Sequence, residues 1–168
     1  MAEAGSTKAL SNSFPTQAQV VIIGGGVIGC SVAYHLTKLG WKDVVLLERK
    51  QLTAGTTWHA AGLVEAGGFY TETILEMAKY SRALYQNLEE ETGQSTGFKK
   101  VGYLEIASTP SRLEGLRRIA DFDRVFDVDI EEVSPSEIKK MWPLMETDDI
   151  LAGFYTAGDG RVNPIDTT

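Results

Sequence analysis

The stretch VVIIGGGVIG, from Val20 to Gly29, decides the fold class of this chain. A β-branched run ends in three glycines, which predicts a buried parallel strand over Gln19 to Ile23 and then a tight turn. The next segment places apolar residues at helical spacing up to Gly40, so it predicts a helix from Val27 to Leu39. A second apolar run, Asp43 to Glu48, completes one βαβ unit, whose crossover is right-handed in nearly every known case.

The glycines of this turn have the spacing G-x-G-x-x-G, at Gly24, Gly26 and Gly29. Between a strand and a helix, the first glycine permits the turn, the second leaves room for a pyrophosphate, and the third lets the helix pack on the strand. The helix N-terminus adds amide donors and the positive end of a dipole. Glu48 ends the next strand, where it can accept hydrogen bonds from ribose hydroxyls. This order of elements predicts dinucleotide binding, in preference to a turn that serves packing alone.

The acid at Glu48 limits which dinucleotide fits. Its carboxylate would repel the 2′-phosphate of NADP, whereas NAD and FAD are both compatible with it. Arg49 follows, either as a solvated charge or as a contact to backbone or phosphate. In an NAD enzyme the second strand usually returns directly to a helix, but here a loop of small residues follows, TAGTTWHAAGL from Thr53 to Leu63. We expect this loop near the carboxyl edge of the parallel sheet, where ligands bind.

The composition is that of a soluble globular domain and excludes several classes. The chain has 168 residues, is 43% hydrophobic and 23% charged, and carries a net charge of −7, so the basic footprint of a nucleic-acid-binding protein is missing. A single cysteine, Cys30, excludes an internal disulfide. The apolar runs are too short to cross a bilayer, and no acidic cluster is paired with histidine as a metal site would require. Residues 1–18 are expected to form a disordered arm that is neither a secretory signal nor a convincing mitochondrial presequence.

The rest of the chain predicts alternating helices and strands. A helix over Glu72 to Glu91 carries an apolar stripe that includes Ile74 and Met77, which we expect to pack on a sheet. Further strands are expected over Val101–Ala107 and Ile150–Thr156, and further helices from Thr109 to about Phe126, from Ser134 to Pro143, and from Asn163 onward. Only two strands belong clearly to the parallel sheet, and such a pair would leave its edges open. We therefore expect a fragment, cut at Thr168.

Two segments together resemble the start of the FAD-dependent dimethylglycine and sarcosine dehydrogenases, within the D-amino-acid-oxidase-like flavoproteins. They are VVIIGGGVIGCSVAYHLTKLGWKDVVLLE and LTAGTTWHAAGLV. The likeness continues through LEEETGQSTGF, VGYLEIAST, MWPLMETDDILAGFY and GDGRVNP, and it covers nearly everything after Gln19. The resemblance implies an α/β fold with a Rossmann-like FAD-binding domain of the glutathione-reductase or D-amino-acid-oxidase type, and the start of an interleaved α+β substrate domain. It implies a first FAD-binding part over residues 19–96, a substrate-domain segment over 97–157, and a return to the FAD domain over 158–168.

In that family the histidine of the W-H-x-A-G stretch carries flavin through a covalent bond at the 8α carbon, and the matching residue here is His59. A neutral imidazole nitrogen is a suitable nucleophile, and such a link tends to raise the flavin potential. The alternative is a loop histidine that is hydrogen-bonded beside the flavin, and Trp58 is either a packing residue or a cofactor contact. The cofactor-binding candidates are Gly24, Gly26, Val27, Ile28, Gly29, Glu48, Arg49, Thr56, Thr57, His59, Ala61, Gly62 and Leu63. No catalytic residue is assigned, because the family places most substrate contacts beyond Thr168.

The resemblance further implies an FAD-dependent enzyme that oxidatively demethylates an N-methylated glycine, dimethylglycine or sarcosine, by hydride transfer to flavin. Its substrate would be a small methylated amine, its electron partner an electron-transferring flavoprotein, and a missing C-terminal part would bind tetrahydrofolate. Neither a nucleic acid nor a membrane is an expected partner. The expected location is the cytoplasm, or the mitochondrial matrix in a eukaryote.

Three alternative functions stay open. The chain could be a non-catalytic relative like the regulatory subunit of pyruvate dehydrogenase phosphatase, another D-amino-acid-oxidase-like amine oxidase, or an NAD-dependent oxidoreductase or plain nucleotide-binding module. The regulatory subunit lacks the W-H pair, so His59 favours an enzyme.

Overall fold

The computed structural model describes residues 15–168, which form two compact units divided between Leu52 and Thr53. The expected N-terminal arm lies outside the described residues over positions 1–14. The domain boundaries expected from the sequence stay a prediction. Within the described part of the chain, no helix has the length and apolar character that a membrane span requires.

The first unit is the expected βαβ element. Strand β1 (Val20–Ile23) leads into helix α1 (Val27–Lys38), and strand β2 (Val44–Leu47) returns parallel to β1. The register runs from Val20 opposite Val44 to Ile23 opposite Leu47. These bounds lie within one or two residues of those predicted from the apolar runs, because the glycine-rich turn and Gly40 mark the two ends of α1.

The two-stranded sheet leaves apolar side chains in contact with solvent. Val21 is 53% exposed, Ile23 88% and Leu47 39%. Parallel sheets normally bury both faces. The pair of strands therefore agrees with the expectation that two parallel strands would leave much of their apolar surface bare.

The second unit contains two antiparallel sheets and three helices among its described residues. A short sheet pairs β3 (Leu63–Val64) with a strand near the end of the chain, β7 (Gly160–Arg161). The larger sheet has the order β4-β6-β5, with β6 in the centre. Its strands are β4 (Tyr103–Ala107), β5 (Glu131–Val133) and β6 (Ala152–Thr156), and the helices are α2 (Glu72–Thr92), α3 (Pro110–Val125) and α4 (Pro135–Met141).

The main core of this unit lies where α3 covers the larger sheet. Phe154 of β6 is 1% exposed, and it belongs to the same buried cluster as Leu116 of α3 and Leu75 of α2. The first turn of α3 is fixed by Thr109, whose side-chain oxygen accepts a hydrogen bond from the backbone N–H of Arg112. The capping side chain satisfies one of the donors that a helix start leaves without an intrahelical partner.

The buried face of α2 differs from the predicted stripe. Ile74 is 50% exposed and Met77 65% exposed, whereas Leu75 is fully buried. Residues 75, 79 and 82 share one face of the helix, and Arg82 on that face bonds to the buried Asp159. The prediction for Ile74 and Met77 is wrong because the helix orients toward this carboxylate, and an apolar pattern does not reveal an ion pair.

The short strands β3, β5 and β7 were not expected, since segments of two or three residues carry little periodicity. The helix expected from Asn163 is a hydrogen-bonded turn. The Asn163 side-chain oxygen accepts from the N–H groups of Ile165 and Asp166, and the Asn163 carbonyl accepts from Thr167 N–H at 3.0 Å.

Two Gly→Ala substitutions should change stability in opposite directions. Gly115 lies inside α3, and a Cβ there would meet no atom within 4 Å, so Gly115→Ala should raise the free energy of unfolding by about 0.5–1 kcal/mol. A Cβ at Gly153 would lie 2.7 Å from Leu104 Cδ1 and 2.8 Å from Ile138 Cδ1. Gly153→Ala should therefore lower the free energy of unfolding by about 1–3 kcal/mol. Denaturant titrations of the two variants measure both values, and effects of the same sign would contradict this packing.

Candidate functional site

Two positions of the glycine turn in the first unit require glycine, one for its backbone conformation and one for lack of space. Gly24 has φ of +110°, in the region that favours glycine. A Cβ at Gly29 would lie 1.9 Å from the carbonyl oxygen of Gly24 and 3.4 Å from a side-chain carbon of Ile22. Helix α1 therefore packs directly against the end of β1, as the spacing of the motif predicts.

The N-cap residue of α1 is a glycine, so the helix start has no capping side chain of its own. Gly26 is the N-cap residue and has extended backbone dihedrals. The first turn of a helix carries amide donors that lack intrahelical partners, and these donors suit a phosphate. Ile28, in this first turn, is 76% exposed.

Glu48 is tied to the turn by its carboxylate. One oxygen, Oε2, accepts a hydrogen bond from Gly25 N–H at 2.8 Å, and the other, Oε1, accepts from Lys50 N–H at 2.9 Å. The Gly25 bond, followed by the Lys50 bond, lowers the pKa of Glu48 below its ordinary value. Each carboxylate oxygen has a second lone-pair position. The anchored carboxylate therefore keeps acceptor capacity for a further hydrogen bond, such as a ribose hydroxyl would donate.

Gly25 is a site residue that the motif did not single out. A Cβ there would lie 2.6 Å from Leu52 Cδ2 and 3.0 Å from Glu48 Cβ, so the bond to Glu48 depends on glycine at this position. The available signal was the run of three consecutive glycines, of which Gly25 is the middle one. The G-x-G-x-x-G spacing passes over it, because Gly25 occupies one of its variable positions.

The loop around His59 lies in the second unit. Residues Thr57–His59 form one turn of 3₁₀ helix, in which His59 N–H donates to the Thr56 carbonyl at 3.1 Å. Thr57 is buried, whereas the His59 side chain is exposed. The Trp58 ring lies against the imidazole, with centroids 3.7 Å apart and planes tilted by 37°. This arrangement presents an oriented imidazole at the surface of its unit.

The end of this loop is fixed by a close backbone approach. Gly62 has φ of +74°, and a Cβ there would lie 2.4 Å from the carbonyl oxygen of Val162. The Gly62 carbonyl accepts from Val162 N–H at 2.8 Å, and Leu63 then enters β3 opposite Arg161. Position 62 therefore admits only glycine. Ala61 and Leu63 on either side of it are exposed.

The structure groups the predicted cofactor-binding residues into two sets, one in each unit. The first set surrounds the turn between β1 and α1 and the end of β2, and the second forms the loop that enters β3. No group of three or more histidine, cysteine or acidic side chains within residues 15–168 is arranged to hold a metal ion. The first set is Gly24, Gly26, Val27, Ile28, Gly29, Glu48 and Arg49, and the second is Thr56, Thr57, His59, Ala61, Gly62 and Leu63.

The lowered pKa of Glu48 predicts a contribution to stability that depends on pH. The hydrogen bonds to its ionised carboxylate stabilise the fold fully above the ordinary glutamate pKa, and this contribution is lost as pH falls through the lowered pKa. Glu48→Gln should therefore lower the free energy of unfolding near neutral pH, with a difference from the unaltered protein that shrinks in acid. Denaturant titrations over a pH series measure that difference.

The matched control for this prediction is Glu90→Gln on the exposed surface of α2. This variant should stay close to the unaltered protein at every pH. A Glu48→Gln difference that is constant across the series would contradict the assignment of the bonds to an anchored carboxylate.

Several curated proteins resemble this chain over most of its length. It is 44% identical over 153 residues to dimethylglycine dehydrogenase, mitochondrial, of Rattus norvegicus, which covers 90% of the chain and 18% of that protein. It is 40% identical over 161 residues to the pyruvate dehydrogenase phosphatase regulatory subunit, mitochondrial, of Mus musculus, a match that covers 96% of this chain and 18% of that protein. It is 41% identical over 157 residues to sarcosine dehydrogenase, mitochondrial, of Homo sapiens, a match that covers 94% of this chain and 17% of that protein. The chain thus spans less than a fifth of the length of these relatives.

The solved structure of L-proline dehydrogenase from P. horikoshii superposes with a TM-score of 0.85 at 27% identity, covering 91% of this chain and 40% of that one. Both the predicted fold class and the predicted family resemblance are confirmed. The family profile described as DAO, FAD dependent oxidoreductase, matches residues 19–168. The chain therefore belongs to the DAO family of FAD-dependent oxidoreductases.

Proposed function

We propose that this chain is the cofactor-binding part of an FAD-dependent amine dehydrogenase that oxidatively demethylates dimethylglycine or sarcosine. The observation that carries the proposal is the exposed His59 imidazole, held on a 3₁₀ turn between the buried Thr57 and the conformationally restricted Gly62. The identities of 44% and 41% to a dimethylglycine and a sarcosine dehydrogenase support the substrate class.

The glycine turn and Glu48 fit the ADP part of FAD. Gly24 and Gly29 bring backbone close to the end of β1, and the start of α1, whose N-cap residue is Gly26, would offer amide donors to a pyrophosphate. The remaining acceptor capacity of the anchored Glu48 carboxylate would suit a ribose hydroxyl. These residues would bind and orient the cofactor, and bound FAD would supply the hydride acceptor. Arg49, exposed at the end of β2, would contact backbone or phosphate.

His59 would hold the flavin covalently. One imidazole nitrogen would form a bond to the 8α carbon, while the imidazole N–H proton and one methyl C–H proton pass to solvent. The two electrons released would enter the ring system and leave to an acceptor such as dioxygen. An exposed imidazole in a turn with a fixed backbone is suited to this role, because bond formation requires a stable orientation of the nucleophile.

Finer features of the whole protein are proposed on the family resemblance. An electron-transferring flavoprotein would accept the electrons, and tetrahydrofolate would capture the one-carbon unit in a C-terminal part. A mitochondrial location is favoured over the cytoplasm by the names of the three curated relatives. The first FAD-binding part would span residues 19–96, the substrate-domain segment 97–157, and the return to the FAD domain 158–168.

The second candidate is a non-catalytic regulatory subunit. It is favoured by the 40% identity to the pyruvate dehydrogenase phosphatase regulatory subunit, which is close to the identities to the two dehydrogenases. Overall similarity therefore does not separate the two candidates. His59 favours the enzyme, and covalent flavin is the measurable difference.

His59→Ala should abolish covalent flavin and leave noncovalent FAD bound. The purified protein should show flavin fluorescence that stays with the polypeptide after acid precipitation, and the variant should release all of its flavin to the supernatant. His35→Ala on α1 is the matched control, because it removes the chain's other histidine. This variant should retain covalent flavin.

The substrate assignment is tested by adding dimethylglycine and sarcosine to the full-length protein that contains this chain. That protein should reduce an artificial electron acceptor and release formaldehyde with at least one of the two amines. A protein that binds no flavin, or that binds flavin and oxidises neither amine, would contradict the proposal and favour the regulatory candidate.

A further inference from the structure

Asp159 is a buried carboxylate that connects three parts of the second unit. Its side chain is fully buried, and Oδ1 accepts hydrogen bonds from Arg82 Nη1 at 2.8 Å and from Ala66 N–H at 3.1 Å. Its backbone carbonyl accepts from Gly102 N–H at 2.9 Å. Burial raises the pKa of Asp159, and the Arg82 bond opposes that shift.

The buried ion pair between Asp159 and Arg82 is better explained as a device that positions neighbouring segments than as a source of folding stability. Desolvation of a buried pair offsets much of the attraction between its charges, so apolar residues often replace such pairs without loss of stability. The second oxygen of Asp159, Oδ2, has no hydrogen-bond partner among the described residues, which adds to the cost of burial. What the pair does provide is one carboxylate oxygen to which both a side chain of α2 and the backbone N–H of a loop donate.

The anchor of this contact is α2. Arg82 projects from a helix of 21 residues whose Leu75 lies in the core. The turn that carries Asp159 also fits closely around the guanidinium, since a Cβ at Gly158 would lie 2.9 Å from Arg82 Nη1. Gln86, one turn further along α2, donates to the Gly158 carbonyl at 3.1 Å. The helix therefore holds the turn at several points.

The loop held by Asp159 is the one that follows His59. Ala66 comes two residues after β3, and β3 pairs with β7 over only two residues. A ladder of that length is weak on its own. The hydrogen bond from Ala66 N–H to Asp159 extends the attachment beyond the ladder, and the Val162 bond to Gly62 holds its other end.

We propose that Asp159, anchored by Arg82, is a positioning residue that orients the His59 loop for covalent attachment of flavin. It acts through Ala66 and β3 and does not touch the cofactor. The inference rests on the proposed function, because it assumes that His59 is the attachment point. Attachment joins two atoms at bonding distance, and a displacement of about 1 Å can slow such a step by about a hundredfold.

The test follows attachment in apoprotein that is reconstituted with FAD. Covalent flavin is measured over time as fluorescence retained after acid precipitation. Asp159→Asn keeps an acceptor for Ala66 N–H but loses the charged bond to Arg82, and it should slow attachment by about tenfold. Asp159→Ala loses both bonds and should slow attachment by about a hundredfold.

A second measurement separates positioning from a general loss of structure. In a His59→Ala background, where no covalent bond can form, the same Asp159 substitutions should change the dissociation constant for FAD by less than about threefold. Asp121→Asn is the control for neutralising a paired aspartate, since Asp121 pairs with Arg124 on the exposed face of α3. That variant should attach flavin at the rate of the unaltered protein.

Each outcome decides the proposal. Attachment by Asp159→Asn at the unaltered rate would overturn it, and so would a parallel fall in attachment and FAD affinity. Failure of Asp159→Asn to fold would also count against it, because the pair would then be a stability element. If the unaltered protein and Asp121→Asn both bind FAD without covalent attachment, it is the proposed role of His59 that fails.

Discussion

The first unit depends on the space between Gly24 and Gly29. Because a Cβ at position 29 would lie 1.9 Å from the Gly24 carbonyl oxygen, only glycine lets α1 begin directly beside the end of β1. That approach decides where the amide donors of the first helical turn lie. Glu48 then closes the turn from β2 through its bond to Gly25. The features that suit a dinucleotide thus follow from the glycines of the turn and from the anchored carboxylate of Glu48.

In the second unit, the His59 loop is held by contacts of another kind. The His59 loop has little apolar material to bury, so it is attached at its end by backbone contacts at Gly62 and by the buried Asp159. Arg82 compensates the charge of that carboxylate from α2. The loop of small residues is therefore attached through the elements that flank it and not through an apolar core of its own.

Long elements with a clear period could be predicted from the sequence, whereas short ones could not. The βαβ unit, α2 and α3 have caps or glycine stops that act locally, and their bounds came within a few residues. The stripe predicted for α2 was wrong at Ile74 and Met77, since the helix turns a different face inward to reach Asp159. In the candidate site, the roles of the spaced glycines and of Glu48 could be predicted from the sequence, but the contribution of Gly25 could not.

The sequence by itself determined the strand–turn–helix element, the acid that follows it and the chemical identity of His59, because these depend on residue type and local spacing. Only the tertiary structure decided that Asp159 meets Ala66 and Arg82, positions 93 and 77 residues away along the chain. It also decided that Gly62 has no room for a side chain, since the carbonyl of Val162 occupies that space. Such contacts depend on how distant segments pack, and no local pattern of residues encodes that packing.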